Sequence, residues 1–246
     1  EGLLEAGCQV AACDISGDRL GVLAEYLRPR FGERFTTVIT DVTSPDSVAA
    51  AFAGICALWG GVDFVISNAG LAHVAALAEL RPEDFQRLER VNVEGTLYVL
   101  AEAARLFERQ AVGGDVVLVS TKNVFAPGAR FGAYSATKAA AHQLARIASL
   151  ELASLDVRVN MVSPDAVFGD EPFKSGLWAE VGPDRMRARG LDETQLQDYY
   201  RQRNLLKRRV TARHVANAVL YFLLRRSPTT GATLPVDGGL PDAAPR

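Results

Sequence analysis

The sequence predicts one α/β domain built on a doubly wound parallel sheet. Short β-branched apolar runs alternate with longer stretches of helical periodicity, which is the pattern of successive βαβ units. Several of the runs end in polar residues, as buried strands do when they deliver ligand-binding groups to the carboxyl edge of an open sheet. With 246 residues, 48% of them hydrophobic and 23% charged, the chain fits a single domain, residues 1–246, with a sizeable core.

Taken in order, Glu1-Gly-Leu-Leu-Glu-Ala-Gly7 reads as the end of a helix that stops at Gly7. A strand over 8–13 closes on Asp14, and Ser16 caps a helix running through Arg28. A strand over 35–40 closes on Asp41-Val42, and Ser44-Pro45 opens a helix that ends near Trp59. The strand 62–66 closes on Ser67-Asn-Ala-Gly70, and Pro82 opens one long helix to about Gln110. Asn92 lies inside that helix, where an amide competes with the backbone unless it has another task. A strand over 114–120, a helix over 131–153, a strand over 157–162, a helix over 211–225 and a strand over 233–236 complete the alternation. Between Pro164 and Asn204 the alternation gives way to a polar, charge-rich stretch with a Trp, two Tyr and several Arg. Its position after the strand over 157–162 favours a lid, 165–206, over a pair of ordinary surface helices.

The chemistry is concentrated in Tyr134-Ser-Ala-Thr-Lys138. At i and i+4 of a helix the phenol and ammonium share a face, and a close cation lowers a phenol's pKa from about 10 toward the range of a working acid or base. On its own the spacing usually means a packed ring beside a solvated charge. The run Asp115-Val-Val-Leu-Val-Ser-Thr121 ends in two hydroxyls, with Thr121 thirteen residues before Tyr134.

Val91-Asn-Val-Glu-Gly-Thr96, the two hydroxyls and the Tyr/Lys pair, in this order, resemble the short-chain dehydrogenase/reductase family. The resemblance extends through Asp14, Asp41-Val42, Ser67-Asn-Ala-Gly70, Asn160-Met-Val-Ser-Pro164 and Thr230-Gly-Ala-Thr-Leu-Pro-Val-Asp-Gly-Gly239. It implies a Rossmann-type fold and an NAD(P)-dependent oxidoreductase. In that reading Tyr134 exchanges the proton of a substrate hydroxyl, and Lys138 lowers the phenol's pKa and holds the nicotinamide ribose. Either Ser120 or Thr121 hydrogen-bonds the substrate oxygen, and Asn92 anchors a water that links Lys138 to solvent. Asp14 would accept the adenosine ribose hydroxyls and repel a 2′-phosphate, so NAD is the expected cofactor. Asp41 and Val42 would border the adenine, and Asn68, Ala69 and Gly70 would pass beneath the ribose and diphosphate. Beyond Pro164, Val167 would meet the carboxamide.

Two positions depart from the family, Asp165 where glycine is usual and Gly169 where threonine often stands. The family's first strand and glycine-rich turn are absent, so the chain reads as a piece of a longer polypeptide, and its sheet is expected to expose unpaired backbone. A narrower resemblance, in Ser120-Thr-Lys-Asn-Val-Phe-Ala-Pro-Gly128, Pro164-Asp-Ala-Val-Phe168 and residues 174–187, is to the dehydrogenase half of proteins with a rhamnulose-1-phosphate aldolase half in front. It implies oxidation of lactaldehyde in rhamnose catabolism, with Lys122, Asn123, Lys174, Trp178, Arg185 and Arg187 as candidate substrate contacts. The alternatives are a reductase or polyol dehydrogenase of another substrate, and a cofactor-binding scaffold without turnover. Relatives associate through helices matching 82–110 and 131–153, so a homodimer or homotetramer is expected.

A formal net charge of −2 and a pI near 6.0 argue against nucleic-acid or anionic-membrane partners. No apolar run is long enough to span a bilayer. Cys8, Cys13 and Cys56 lack disulfide or metal spacing and suit a reducing cytoplasm, with Cys8 and Cys13 expected in the core. His73, His142 and His214 are scattered, and no catalytic metal is expected.

Overall fold

The computed structural model describes residues 1–170 and 173–241. Helix α1 (Gly2–Glu5) leads into β1 (Val10–Asp14), α2 (Gly17–Phe31), β2 (Phe35–Ile39), α3 (Pro45–Trp59) and β3 (Phe64–Ser67). Then come α4 (Pro82–Glu89), α5 (Gly95–Gln110), β4 (Gly114–Val119), α6 (Gly132–Glu151) and β5 (Val157–Pro164). A two-residue-per-strand hairpin, β6 (Gly169–Asp170) and β7 (Phe173–Lys174), precedes α7 (Gly176–Arg187), α8 (Glu193–Arg203), α9 (Ala212–Leu223) and β8 (Thr233–Val236). Local chemistry sets the boundaries. The Ser16 and Ser44 hydroxyls accept the Arg19 and Ser47 amides at the starts of α2 and α3, and Gly60 ends α3 in the left-handed region.

Four strands run parallel in the order β3-β4-β5-β8. Their side chains alternate between two covered faces. Val116, Leu118, Val159 and Met161 pack against Leu100, Ala103 and Phe107 of α5 and Ala141 and Ala145 of α6. Val117 and Val162 pack against Ala218, Val219, Phe222 and Leu223 of α9. Burial on both faces is why β4 reads as an unbroken apolar run.

A separate parallel pair, β1-β2, lies under α2 through Leu4, Ala24, Leu27 and Phe35. The β1 and β3 edges do not pair, so the sheet divides at the place where the expected first strand is missing from the sequence. With β1 hydrogen-bonded on one side only, Cys13 is exposed and Cys8 half-buried, which corrects their expected place in the core.

The helix expected over 82–110 is interrupted. A π turn, Arg90–Glu94, joins α4 to α5, and the extra residue turns Asn92 inward to 1% exposure. Gly95 follows because a Cβ there would come within 2.9 Å of Val42 Cγ2. At the amino end of β4, Asp115 is 2% exposed and accepts from Arg158 Nε at 2.7 Å and Arg225 Nε at 2.8 Å. Arg158 also donates to the Phe222 and Ser227 carbonyls, tying β4 and β5 to the end of α9. No helix is long and apolar enough to cross a membrane among the described residues.

Candidate active site

A cleft of about 1410 Å³ opens beyond the carboxyl ends of β3, β4 and β5, where the connections out of the sheet place their polar residues. Asp14, Asn68, Ala69, Gly70, Pro164 and Val167 line it, as do Ser120, Thr121, Tyr134 and Lys138. The two halves of the sequence-predicted site therefore meet in one cavity. Asp41 and Val42 do not line it. The Asp41 carboxylate accepts from the Thr43 amide and hydroxyl in the turn into α3, and Val42 is held against Gly95. Both make local contacts, at the start of α3 and against α5.

Tyr134 and Lys138 lie one turn apart on α6 and are both buried. Burial pushes the Tyr134 phenol up, a hydrogen bond with Thr121 opposes this, and the Asp165 carboxylate adds to the rise. The net direction is upward. The Lys138 ammonium donates to the Val119 carbonyl at 2.8 Å, and burial lowers its own pKa to about 8. Departing residue Asp165 is thus an electrostatic neighbour of the phenol, a role the sequence left open.

The two hydroxyls at the end of β4 face different ways. Thr121 meets Tyr134, whereas Ser120 Oγ is hydrogen-bonded to His142 Nδ1 at 2.9 Å. His142 Nε2 reaches Thr233 Oγ1 on β8 at 3.2 Å, so a buried imidazole ties α6 to both strands. Its position one turn after Lys138 on the same helix face was the sequence signal for this role.

Asn92 hydrogen-bonds to two neighbouring segments. Its Oδ1 accepts the Leu71 amide at 2.8 Å, and its Nδ2 donates to the Leu71 carbonyl and to Thr137 Oγ1. This side chain braces the segment after Gly70 against α6. A Cβ at Gly70 would lie 3.2 Å from Asn92 Oδ1 and 3.6 Å from Lys138 Nζ. Only glycine leaves that wall of the cleft open, and such close backbone approach suits a ribose and diphosphate.

Residues between 167 and 203 line the rest of the cleft. Phe168 stacks on Trp178 at 4.2 Å between ring centroids, and Tyr200 packs edge-on to both. Val181 of α7 joins Phe131 and Tyr134 in one buried cluster, with Leu177 and Trp178 packed against it. Lys174 and Arg187 are exposed, Arg187 being paired with Asp184, so these two sequence candidates do not enter the cleft, whereas Lys122, Asn123, Trp178 and Arg185 line it.

His142 carries a pH prediction. Burial first, then the Arg146 and Lys138 charges, lower its pKa from 6.5 to about 4. Between those values the unfolded chain binds the extra proton, so stability rises with pH across the window and is lost on acidification. Over that range His142→Gln is expected to flatten the pH dependence of denaturant-measured stability by up to about 3 kcal/mol; parallel curves for the two proteins would remove this assignment.

The short chain dehydrogenase family model matches residues 1–170. Over 244 residues the chain is 33% identical to the uncharacterized oxidoreductase YuxG of Bacillus subtilis, covering 98% of this chain and 35% of that protein. Over 240 residues it is 28% identical to the sorbitol-6-phosphate 2-dehydrogenase of Escherichia coli, covering 97% of this chain and 91% of that one. The crystal structure of sorbitol-6-phosphate 2-dehydrogenase SrlD from Erwinia amylovora superposes with a TM-score of 0.86 at 24% identity, over 97% of this chain and 92% of that one. The fold, the cleft at the strand ends and a family match over more than two thirds of its length agree, and the chain belongs to the short-chain dehydrogenase family.

Proposed function

We propose that this protein is a nicotinamide-dependent oxidoreductase of small sugar-derived alcohols or hydroxy-aldehydes. The observation that carries this is the convergence of Tyr134, Thr121 and Lys138 on one wall of the cleft. When bound, the nicotinamide supplies the hydride acceptor or donor. Asp14 and the Asn68-Ala69-Gly70 wall would hold the dinucleotide. Thr121 orients the reacting oxygen, Tyr134 takes or returns its proton, and Lys138 stabilises the phenolate through its charge. Ser120 and His142 act one step back, fixing the end of β4. Exposed apolar side chains on α5 and α6, Leu97, Ile147 and Leu150, fit association with a second copy.

The cofactor we favour is NAD. The Asp14 carboxylate receives the Ser16 amide through one oxygen, which leaves the other for ribose hydroxyls. Arg19 also lines the cleft and is the residue type that would accept a 2′-phosphate, so NAD and NADP are compared directly. Within the substrate class, lactaldehyde oxidation beside a fused aldolase half is supported by the three quoted segments. A match to only 35% of the length of YuxG fits a larger polypeptide of that kind. A polyol or polyol phosphate is supported by the Escherichia coli relative.

The test follows NADH or NADPH absorbance with lactaldehyde, sorbitol and sorbitol 6-phosphate. Turnover of at least one with NAD is expected. In that assay Thr121→Val should lower kcat by about 10- to 100-fold, the value of one oriented hydrogen bond to a developing charge. Ser120→Ala should cost less than about fivefold, because its hydroxyl serves His142. Equal losses would show that the two hydroxyls do not divide the work this way. Silence with every substrate and both cofactors would favour a binding scaffold.

A further inference from the structure

Beneath the lid sits a cation that the proton-transfer machinery does not use. Arg185, on α7, is 6% exposed yet lines the cleft. Its guanidinium carbon stands 4.7 Å from the Phe131 ring centroid, and Nη2 donates to the Tyr200 hydroxyl at 3.2 Å. Its Nε–H has no acceptor, and among the described residues no carboxylate lies within ion-pair distance of it. Nearby acids are engaged elsewhere. Glu180 pairs with Arg87 and Asp184 with Arg187, and Asp165 lies at the phenol.

A buried guanidinium is costly unless its charge and its donors are answered. Here the ring and the Tyr200 hydroxyl hold it in one orientation while a donor edge stays unmet. From the same lid segment two further guanidinium groups border the cavity, Arg189 over Tyr199 at 4.8 Å and Arg203 over Tyr200 at 4.9 Å. The planar fork of arginine matches the oxygens of a carboxylate or phosphate. Phe131 links the site to the chemistry, since its ring lies 5.9 Å from that of Tyr134.

We propose that Arg185 is a specificity-determining residue which binds an anionic group, phosphate or carboxylate, on the end of the substrate remote from the reacting carbon. The inference rests on the oxidoreductase reading and narrows it to acidic hydroxy compounds. It also accounts for the form of the lid, which places aromatic rings around a cation where a neutral substrate would need none.

Two measurements separate this proposal from its premise. Calorimetric titration with inorganic phosphate and with acetate requires no turnover. Binding to the wild-type chain that is lost in Arg185→Gln, and weakened but retained in Arg185→Lys, supports the anion site whatever the assay shows. No binding of either anion to the wild-type chain overturns it. Steady-state kinetics then compare sorbitol 6-phosphate, gluconate and sorbitol. The preferred anion should show a kcat/KM about 10- to 100-fold above sorbitol, and Arg185→Gln should erase that ratio through KM while leaving sorbitol within about twofold. Phosphate preference or carboxylate preference identifies the source of the charge. Equal use of charged and neutral substrates by the wild type, or equal losses for both in the variant, would make Arg185 structural. If Arg185→Gln does not fold, judged by circular dichroism, the same comparisons are made with Arg185→Lys. Its retained charge should keep the ratio above one, and an unaltered ratio would overturn the role of the fork.

Discussion

Replacing Tyr134 by phenylalanine is expected to lower kcat by about 10²- to 10⁴-fold, the range for loss of a positioned proton donor or acceptor. The substitution removes one oxygen. The ring remains in its cluster with Phe131 and Val181, so thermal unfolding should shift little. Cofactor affinity, read by NADH fluorescence, should change by less than about threefold, because the cleft walls formed by Asp14 and Asn68-Ala69-Gly70 are untouched. Burial raises the phenol's pKa, so alcohol oxidation by the wild type, which needs the phenolate as base, should speed up as pH rises toward the alkaline range. That dependence should vanish in the variant's residual rate. Unchanged turnover in Tyr134→Phe would remove the proposed proton carrier and with it the order of roles assigned to Thr121 and Lys138.

The largest effect on stability is expected from Asp115→Ala, a loss of about 3–5 kcal/mol. Burial raises the Asp115 pKa even though Arg225 and Arg158 oppose the rise. The carboxylate is therefore an expensive ion, and its worth lies in the charges it answers. Without it, the Arg158 guanidinium, whose side chain is 12% exposed, is left buried with only carbonyl partners. For a chain of this length the loss corresponds to a fall of roughly 6–20 °C in Tm. Asp115 and Thr121 lie at opposite ends of β4, roughly 20 Å apart at strand rise, so KM and kcat below the transition should be close to those of the wild type. A loss under about 1 kcal/mol would mean that the cluster is a surface ion pair in its energetics.

Much of this architecture was legible from neighbours in sequence. Ser44-Pro45 marked the start of α3 because caps depend on side chains within a few positions. The unbroken apolar run of residues 116–119 announced a strand covered on both faces. The π turn at Arg90–Glu94 was not legible, since helix periodicity continues through it and only the contact of Asn92 with Leu71 and Thr137 selects it. Cys13 was misplaced for a related reason. Composition describes a strand as apolar, but whether its far side is covered depends on a neighbour elsewhere in the chain.

At the candidate site the same division holds. By itself the sequence determined that Tyr134 and Lys138 share a helix face, that two hydroxyls end the preceding strand, and that the fold is a parallel α/β sheet with its cleft at the strand ends. Tertiary structure alone decided that Thr121 turns to the phenol and Ser120 to His142, that the Lys138 ammonium rests on the Val119 carbonyl, and that Arg185 stands over Phe131. The physical reason is range. Helix spacing and strand alternation follow from backbone geometry over a few residues, whereas the choice of a hydrogen-bond or ring partner is made by packing between segments tens of residues apart.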